Sequence, residues 1–181
     1  DQRRTIIDRR HDDAARQTPG DLVELGSAGL RYGAAVFTDA GVVQLERFAD
    51  ALDSLRSAGV EVEVYDKVRV EPTDQSFEEA SRFAIEGHFD GLISIGGGSA
   101  IDTCKAANLY SSYPADFLAY VNAPIGKGCP VPGVLKPLIA IPTTSGTGSE
   151  TTGVAIFDRC HAMHSFRCDM NRVAGLHLLL H

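Results

Sequence analysis

The stretch Gly91-Leu92-Ile93-Ser94-Ile95-Gly96-Gly97-Gly98-Ser99-Ala100-Ile101-Asp102 decides how this chain is read. Gly91 to Ile95 is a short, largely apolar run with isoleucine at alternate places, the pattern of a buried strand. It runs straight into a glycine turn that opens a helix, and Ser99 with Asp102 has the S-x-x-D spacing of a helix N-cap. Three glycines leave no Cβ between the backbone amides and an approaching group. A helix's first turn adds unpaired N–H donors and a partial positive charge. Gly96, Gly97, Gly98 and Ser99 are therefore a candidate cradle for a phosphate or pyrophosphate. A helix that merely starts after a flexible turn fits the same letters.

A second element points the same way. Leu138 to Ile141 is another buried-strand run, followed by Pro142-Thr143-Thr144-Ser145-Gly146-Thr147-Gly148-Ser149-Glu150. Hydroxyls and glycines at this density disfavour helix interiors and make a polar, backbone-rich loop. Open α/β sheets bind ligands at the carboxyl ends of their strands, so Thr143, Thr144, Thr147 and Ser149 are candidate ligand contacts.

Outward from these two runs the chain alternates strand and helix. Ala34 to Thr38 reads as a strand ending at Asp39. Ala40 to Ala58 carries Leu45, Phe48, Ala49, Leu52 and Leu55 at helical spacing, with Gly59 as its stop. Val60 to Tyr65 alternates valine with glutamate, as expected of a strand with one wet face near a sheet edge. Pro72-Thr73-Asp74 starts a helix whose Phe77, Ala80 and Ala84 share a face and which ends at Gly87. A further helix covers Ser99 to Tyr110, and Gly153 to Phe157 is a last apolar strand. The alternation predicts an α/β domain with a parallel, Rossmann-like sheet, right-handed crossovers and helices on both faces. Residues 20–158 form that domain in this reading, 1–19 a charged, loosely ordered arm, and 159–181 an irregular tail without strand continuation. The tail is expected to be disordered or only locally helical, with apolar surface exposed near Ile156 and Phe157. The long Pro- and Gly-rich connection Ser111–Pro137 is a candidate functional loop.

With 181 residues the chain can bury a real core, and a net charge of −7 argues against nucleic acid as partner. No apolar run reaches the length of a membrane span, so a soluble intracellular protein is expected, cytoplasmic or of the mitochondrial matrix. The four cysteines show neither C-x-x-C pairing nor a disulfide-scaffold spacing, which fits a reducing compartment. Cys104 reads as a small buried apolar residue.

Gly96-Gly97-Gly98-Ser99-x-x-Asp102-x-x-Lys105 together with Pro142 to Glu150 resembles the iron-containing, group III alcohol dehydrogenases. Val68-Arg69-Val70-Glu71-Pro72-Thr73-Asp74, Ala123-Pro124-Ile125-Gly126-Lys127-Gly128 and Thr151 to Asp158 resemble their hydroxyacid–oxoacid transhydrogenase branch. The likeness covers Gly20 to Asp158 and is dense from Val68 onward. It implies a dehydroquinate-synthase-like domain that binds NAD, followed in the complete enzyme by a helical domain holding a divalent metal, iron or zinc, on one Asp and three His. The substrate implied is a small hydroxy acid or alcohol, with hydride passing from 4-hydroxybutyrate to 2-oxoglutarate. Self-association into a homo-oligomer, or poor solubility, is expected from the apolar surface near Ile156 and Phe157.

The resemblance gives Asp39 the role of holding a ribose diol, which would favour NAD over its phosphorylated form. An ordinary turn aspartate is the other reading. Asp102 serves either to cap its helix or to touch the cofactor, and Lys105 is expected on a solvated helix surface. Lys127 reads as a surface lysine, with a substrate carboxylate as the less favoured partner. Cys160-His161-Ala162-Met163-His164-Ser165-Phe166 is similar to a metal-ligand segment of the family, with His164 where that segment has Glu. The helical metal domain is expected to be missing from this chain, no metal site is assigned to it, and the chain alone is expected to be inactive. A truncated nucleotide- or partner-binding fragment and a dehydroquinate-synthase-like lyase are the alternative readings.

Overall fold

The computed structural model describes residues 33–159, 162–167 and 173–174. Its strands are β1 (Ala34–Phe37), β2 (Val62–Tyr65), β3 (Gly91–Gly96), β4 (Leu138–Pro142), β5 (Val154–Arg159), β6 (Ala162–Arg167) and β7 (Val173–Ala174). Its helices are α1 (Glu46–Ser57), α2 (Asp74–Glu86), α3 (Gly98–Ser112) and α4 (Phe117–Tyr120). The main sheet is parallel throughout, in the order β2-β1-β3-β4-β7. The central strands are buried on both faces, which is why they read as unbroken apolar runs. Val36, Ile93, Ile95 and Ile141 pack on Phe48, Leu52 and Leu55 of α1. The alternate residues Phe37, Leu92 and Ala140 pack on Ala80 and Ala84 of α2 and on Ile101 and Cys104 of α3. Helices thus cover both faces, as the alternation predicts. β2 is an edge strand whose Glu63 is exposed.

Local chemistry sets the element ends. Helix α2 starts on a capping box: Thr73 Oγ1 accepts from the Ser76 amide at 3.2 Å, and Ser76 Oγ accepts from the Thr73 amide at 2.8 Å. The helix expected over 40–58 begins later. Asp39 Oδ1 accepts from the amides of Gly41 and Val42 at 2.9 and 3.0 Å, a local turn that competes with helix, and a 3-10 turn at Val42–Gln44 precedes α1. The N-cap of α3 is Gly97 with no side-chain cap, so Ser99 and Asp102 do not form the expected capping pair.

Helix α3 is buried without a break from Ala100 to Tyr110. A third layer encloses its outer side: the antiparallel β5–β6 pair and the connection that contains α4. Phe157 packs its ring on Phe77 and Phe117 at 5.6 and 5.3 Å between centroids. Two expectations for the carboxyl end are corrected here. Phe157 is 1% exposed and only Ile156, at 41%, faces out. The expected loss of strand structure after Asp158 fails because β5 runs to Arg159, β6 pairs with it, and β7 joins the main sheet beside β4. The arm 1–19 and the remainder of the tail, His161 included, lie outside the described residues.

Candidate functional site

The strand order reverses between β1 and β3: from β1 the chain proceeds to the β2 edge, and from β3 it proceeds to β4 on the other side. The loops leaving these two strands diverge there, and the crevice between them is where doubly wound sheets take ligands. Asp39 follows β1 and the glycine turn follows β3, so both stand at this point. A Cβ built on Gly96 would lie 3.6 Å from Asp39 Oδ2 and 2.6 Å from the Cβ of Ala100, so only glycine fits. Gly97 has an ordinary φ of −77°, and its value lies in leaving surface open rather than in a special conformation.

The hydroxyl loop closes over the same turn. The Thr143 amide donates to Gly96 O at 3.0 Å, fixing the start of the loop against the end of β3. A Cβ on Gly97 would meet Thr144 Oγ1 at 3.3 Å, and one on Gly98 would meet Ser149 Oγ at 3.0 Å and the Thr147 Cβ at 3.4 Å. Gly96, Gly97, Gly98, Ser99, Thr143, Thr144, Thr147 and Ser149 therefore share one small region, with Asp39 across the crevice. Thr144 and Thr147 are exposed, and Ser99 and Ser149 are half-buried. The uncapped first turn of α3 supplies amide donors and the positive end of a fifteen-residue helix. Open amides, hydroxyls and the absence of Cβ atoms make a surface suited to a dinucleotide's pyrophosphate. Asp39 retains Oδ2 toward the crevice while Oδ1 holds its own turn, so the turn reading and the ribose reading are compatible in one side chain.

Asp102 and Lys105 lie differently from the rest. The Lys105 side chain is wholly buried, not on a solvated surface as expected. Its ammonium donates to Asp102 Oδ1 at 3.1 Å, Val154 O at 2.7 Å and Thr152 Oγ1 at 3.3 Å. Asp102 Oδ2 accepts from the Ile156 amide at 3.1 Å. Burial raises the Asp102 pKa above the ordinary carboxylate value, with Lys105 opposing that rise. The sequence signal for this buried pair is the i,i+3 acid–base spacing on a helix that offers no solvent face. Neither the spacing nor the helix composition says that β5 covers it.

The connection expected to be functional ends at the amino ends of β3 and β4, away from the crevice, where the Leu92 amide donates to Pro137 O at 2.9 Å. Lys127 is exposed on it, its amide bonded to Leu118 O at 2.9 Å. Among the described residues no group of three or more His, Cys, Asp or Glu is placed to hold a metal ion together. No described helix is long and apolar enough to cross a membrane.

The sequence model of the family "Iron-containing alcohol dehydrogenase" matches residues 13–172, past the Gly20 and Asp158 limits of the resemblance at both ends. The mitochondrial hydroxyacid-oxoacid transhydrogenase of Bos taurus is 61% identical over 142 residues, covering 78% of this chain and 30% of its own length. That of Homo sapiens is 55% identical over 157 residues, covering 76% of this chain and 34% of its own length. The chain thus spans 30% and 34% of the length of these two relatives. Among solved structures, the iron containing alcohol dehydrogenase from Thermococcus thioreducens superposes with a TM-score of 0.75 at 28% identity, over 86% of this chain and 42% of that one. With the family's pattern running through most of its length and its glycine turn set where the strand order reverses, this chain belongs to the iron-containing alcohol dehydrogenase family.

Proposed function

We propose that this chain forms the NAD(H)-binding part of a metal-dependent oxidoreductase acting on small hydroxy acids or alcohols, of the hydroxyacid–oxoacid transhydrogenase kind. One observation carries the reading: an uncapped glycine turn, a hydroxyl-rich loop and Asp39 meet at the reversal point of a parallel sheet. Gly96, Gly97, Gly98 and Ser99 would hold the pyrophosphate through amides, and Thr143, Thr144, Thr147 and Ser149 would add hydroxyl donors. Asp39 would accept from a ribose diol and repel a phosphorylated ribose. Bound NAD supplies the hydride acceptor, and this chain's part is to hold and orient it. The identity to hydroxyacid-oxoacid transhydrogenases supports hydroxy acid and oxo acid chemistry, and the word mitochondrial in their names supports that compartment. The resemblance of the motifs adds 4-hydroxybutyrate as donor and 2-oxoglutarate as acceptor.

In this proposal residues 20–158 are the cofactor domain, of dehydroquinate-synthase-like architecture. The activating metal, iron or zinc, belongs to residues beyond those described, in a helical domain of the complete enzyme. The chain by itself then binds NADH but transfers no hydride, for the far wall of the crevice closes on the nicotinamide. Titration of NADH fluorescence on the 181-residue chain, beside a turnover assay with added iron or zinc, tests both parts. Saturable binding without turnover is expected. Absence of saturable binding overturns the cofactor assignment, and metal-dependent hydride transfer overturns the division of labour.

A further inference from the structure

Lys105 is a fully buried cation whose three protons all have acceptors within the protein: Val154 O at 2.7 Å, Asp102 Oδ1 at 3.1 Å and Thr152 Oγ1 at 3.3 Å. No proton remains for a phosphate. Two of those acceptors lie where the hydroxyl loop ends, at Thr152 and at the first residue of β5. The beginning of the loop is held separately, by the Thr143 amide on Gly96 O. Between these anchors Thr144 to Thr147 is exposed, and Gly146 and Gly148 have positive φ. Such a segment is costly to order, because glycine and small polar residues have many alternative conformations.

A buried ion pair is an expensive way to join a helix to a strand. A methionine or leucine of similar volume would fill the space without desolvating two charges. What an apolar side chain cannot supply is directional bonding to a carbonyl, a hydroxyl and a carboxylate at once. Asp102 extends the arrangement by accepting from the Ile156 amide at 3.1 Å, so the same pair holds the start of β5 at two places along its backbone.

We propose that Lys105 is a positioning residue for the cofactor crevice: it pins the carboxyl end of the Thr143–Thr152 loop to the helix that opens at the glycine turn, keeping the loop ordered before NAD arrives. This rests on reading the crevice as the NAD site. Pre-ordering lowers the entropy cost of binding, so the pin acts on affinity and not only on stability.

A mutant cycle on the 181-residue chain tests it, with Asp102→Asn, Lys105→Met and the double variant. Three quantities are read: the thermal midpoint, amide exchange over residues 143–153, and NADH affinity. Lys105→Met alone strands a carboxylate and destabilises the fold; the double variant removes both charges and restores most of the midpoint. The proposal expects the double variant, though folded, to exchange the loop amides about ten-fold faster and to bind NADH about ten-fold more weakly. Asp102→Asn alone is expected to keep loop exchange within about three-fold, because the ammonium still reaches Val154 and Thr152. A double variant with the parent's loop exchange overturns the pin. A loosened loop with unchanged NADH affinity overturns the positioning role, whereas a parent chain without saturable NADH binding overturns the cofactor reading instead.

Discussion

Gly96–Ser99 and Asp102–Lys105 are neighbours in one short segment, yet the first leaves its polar groups open and the second satisfies them internally. The glycine turn ends a buried strand with amides uncapped by any side chain. One helical turn later, a carboxylate and an ammonium are enclosed by α3, β5 and the residues after the hydroxyl loop. Binding surfaces need unpaired donors that water keeps solvated until a ligand replaces it, whereas buried charges need every partner supplied by the fold. The rigid pair and the open turn share a helix, so the first fixes where the second presents its donors.

The contrast is broken most violently at the buried end. Lys105→Met should destabilise the chain by roughly 3–5 kcal/mol, because Asp102 loses the cation that justifies its burial. Urea unfolding measures this, and a loss below about 1 kcal/mol would show that the pair is solvated in solution. Next in size is the third layer: Phe157→Ala should cost about 3 kcal/mol or more, since its ring fills the space between Phe77 and Phe117. A surface-like loss there would mean that β5 does not cover α3.

At the open end, effects should move from stability to binding. Gly97→Val introduces a Cβ whose only near neighbour is Thr144, so the fold should change by less than about 1 kcal/mol while NADH binding falls below detection. Gly96→Val should damage both, because its Cβ overlaps Ala100 at 2.6 Å. A folded Gly97→Val variant with parental NADH affinity would remove the cradle assignment. Asp39→Asn should cost a few tenths to about 1 kcal/mol through its turn and narrow the preference for NADH over NADPH, read from paired titrations.

The smallest expected effect is titration of the pair. Burial raises the Asp102 pKa in the folded state, so the native protein holds that proton more tightly than the unfolded chain does. Stability should therefore fall as pH rises from the ordinary carboxylate value through the raised one, then level off. Unfolding measured across acidic pH should lose that contribution in the Asp102→Asn variant.

Much of the fold was legible because both faces of the central strands are covered, so β1, β3 and β4 appear as plain apolar runs between glycines and polar turns. Helix α2 was legible from its cap and from Phe77, Ala80 and Ala84 on one face. Eight of the ten candidate residues, the glycines and hydroxyls, were visible as types in two motifs, because phosphate chemistry demands open backbone and hydroxyls wherever the chain places them. The start of α1 was not legible, since Asp39 bonding its own loop competes with helix nucleation and only the geometry decides between them.

Composition and periodicity thus determined an α/β chain with a parallel sheet and a candidate anion-binding turn, since strand burial and glycine chemistry are written locally. Tertiary structure alone decided that the two motifs close on one another beside Asp39, because that depends on the order of strands in the sheet. It also decided the fate of Lys105: a lysine on a helix is solvated by default, and only the arrival of β5 and Thr152 from nearly fifty residues away supplies the acceptors that make its burial possible.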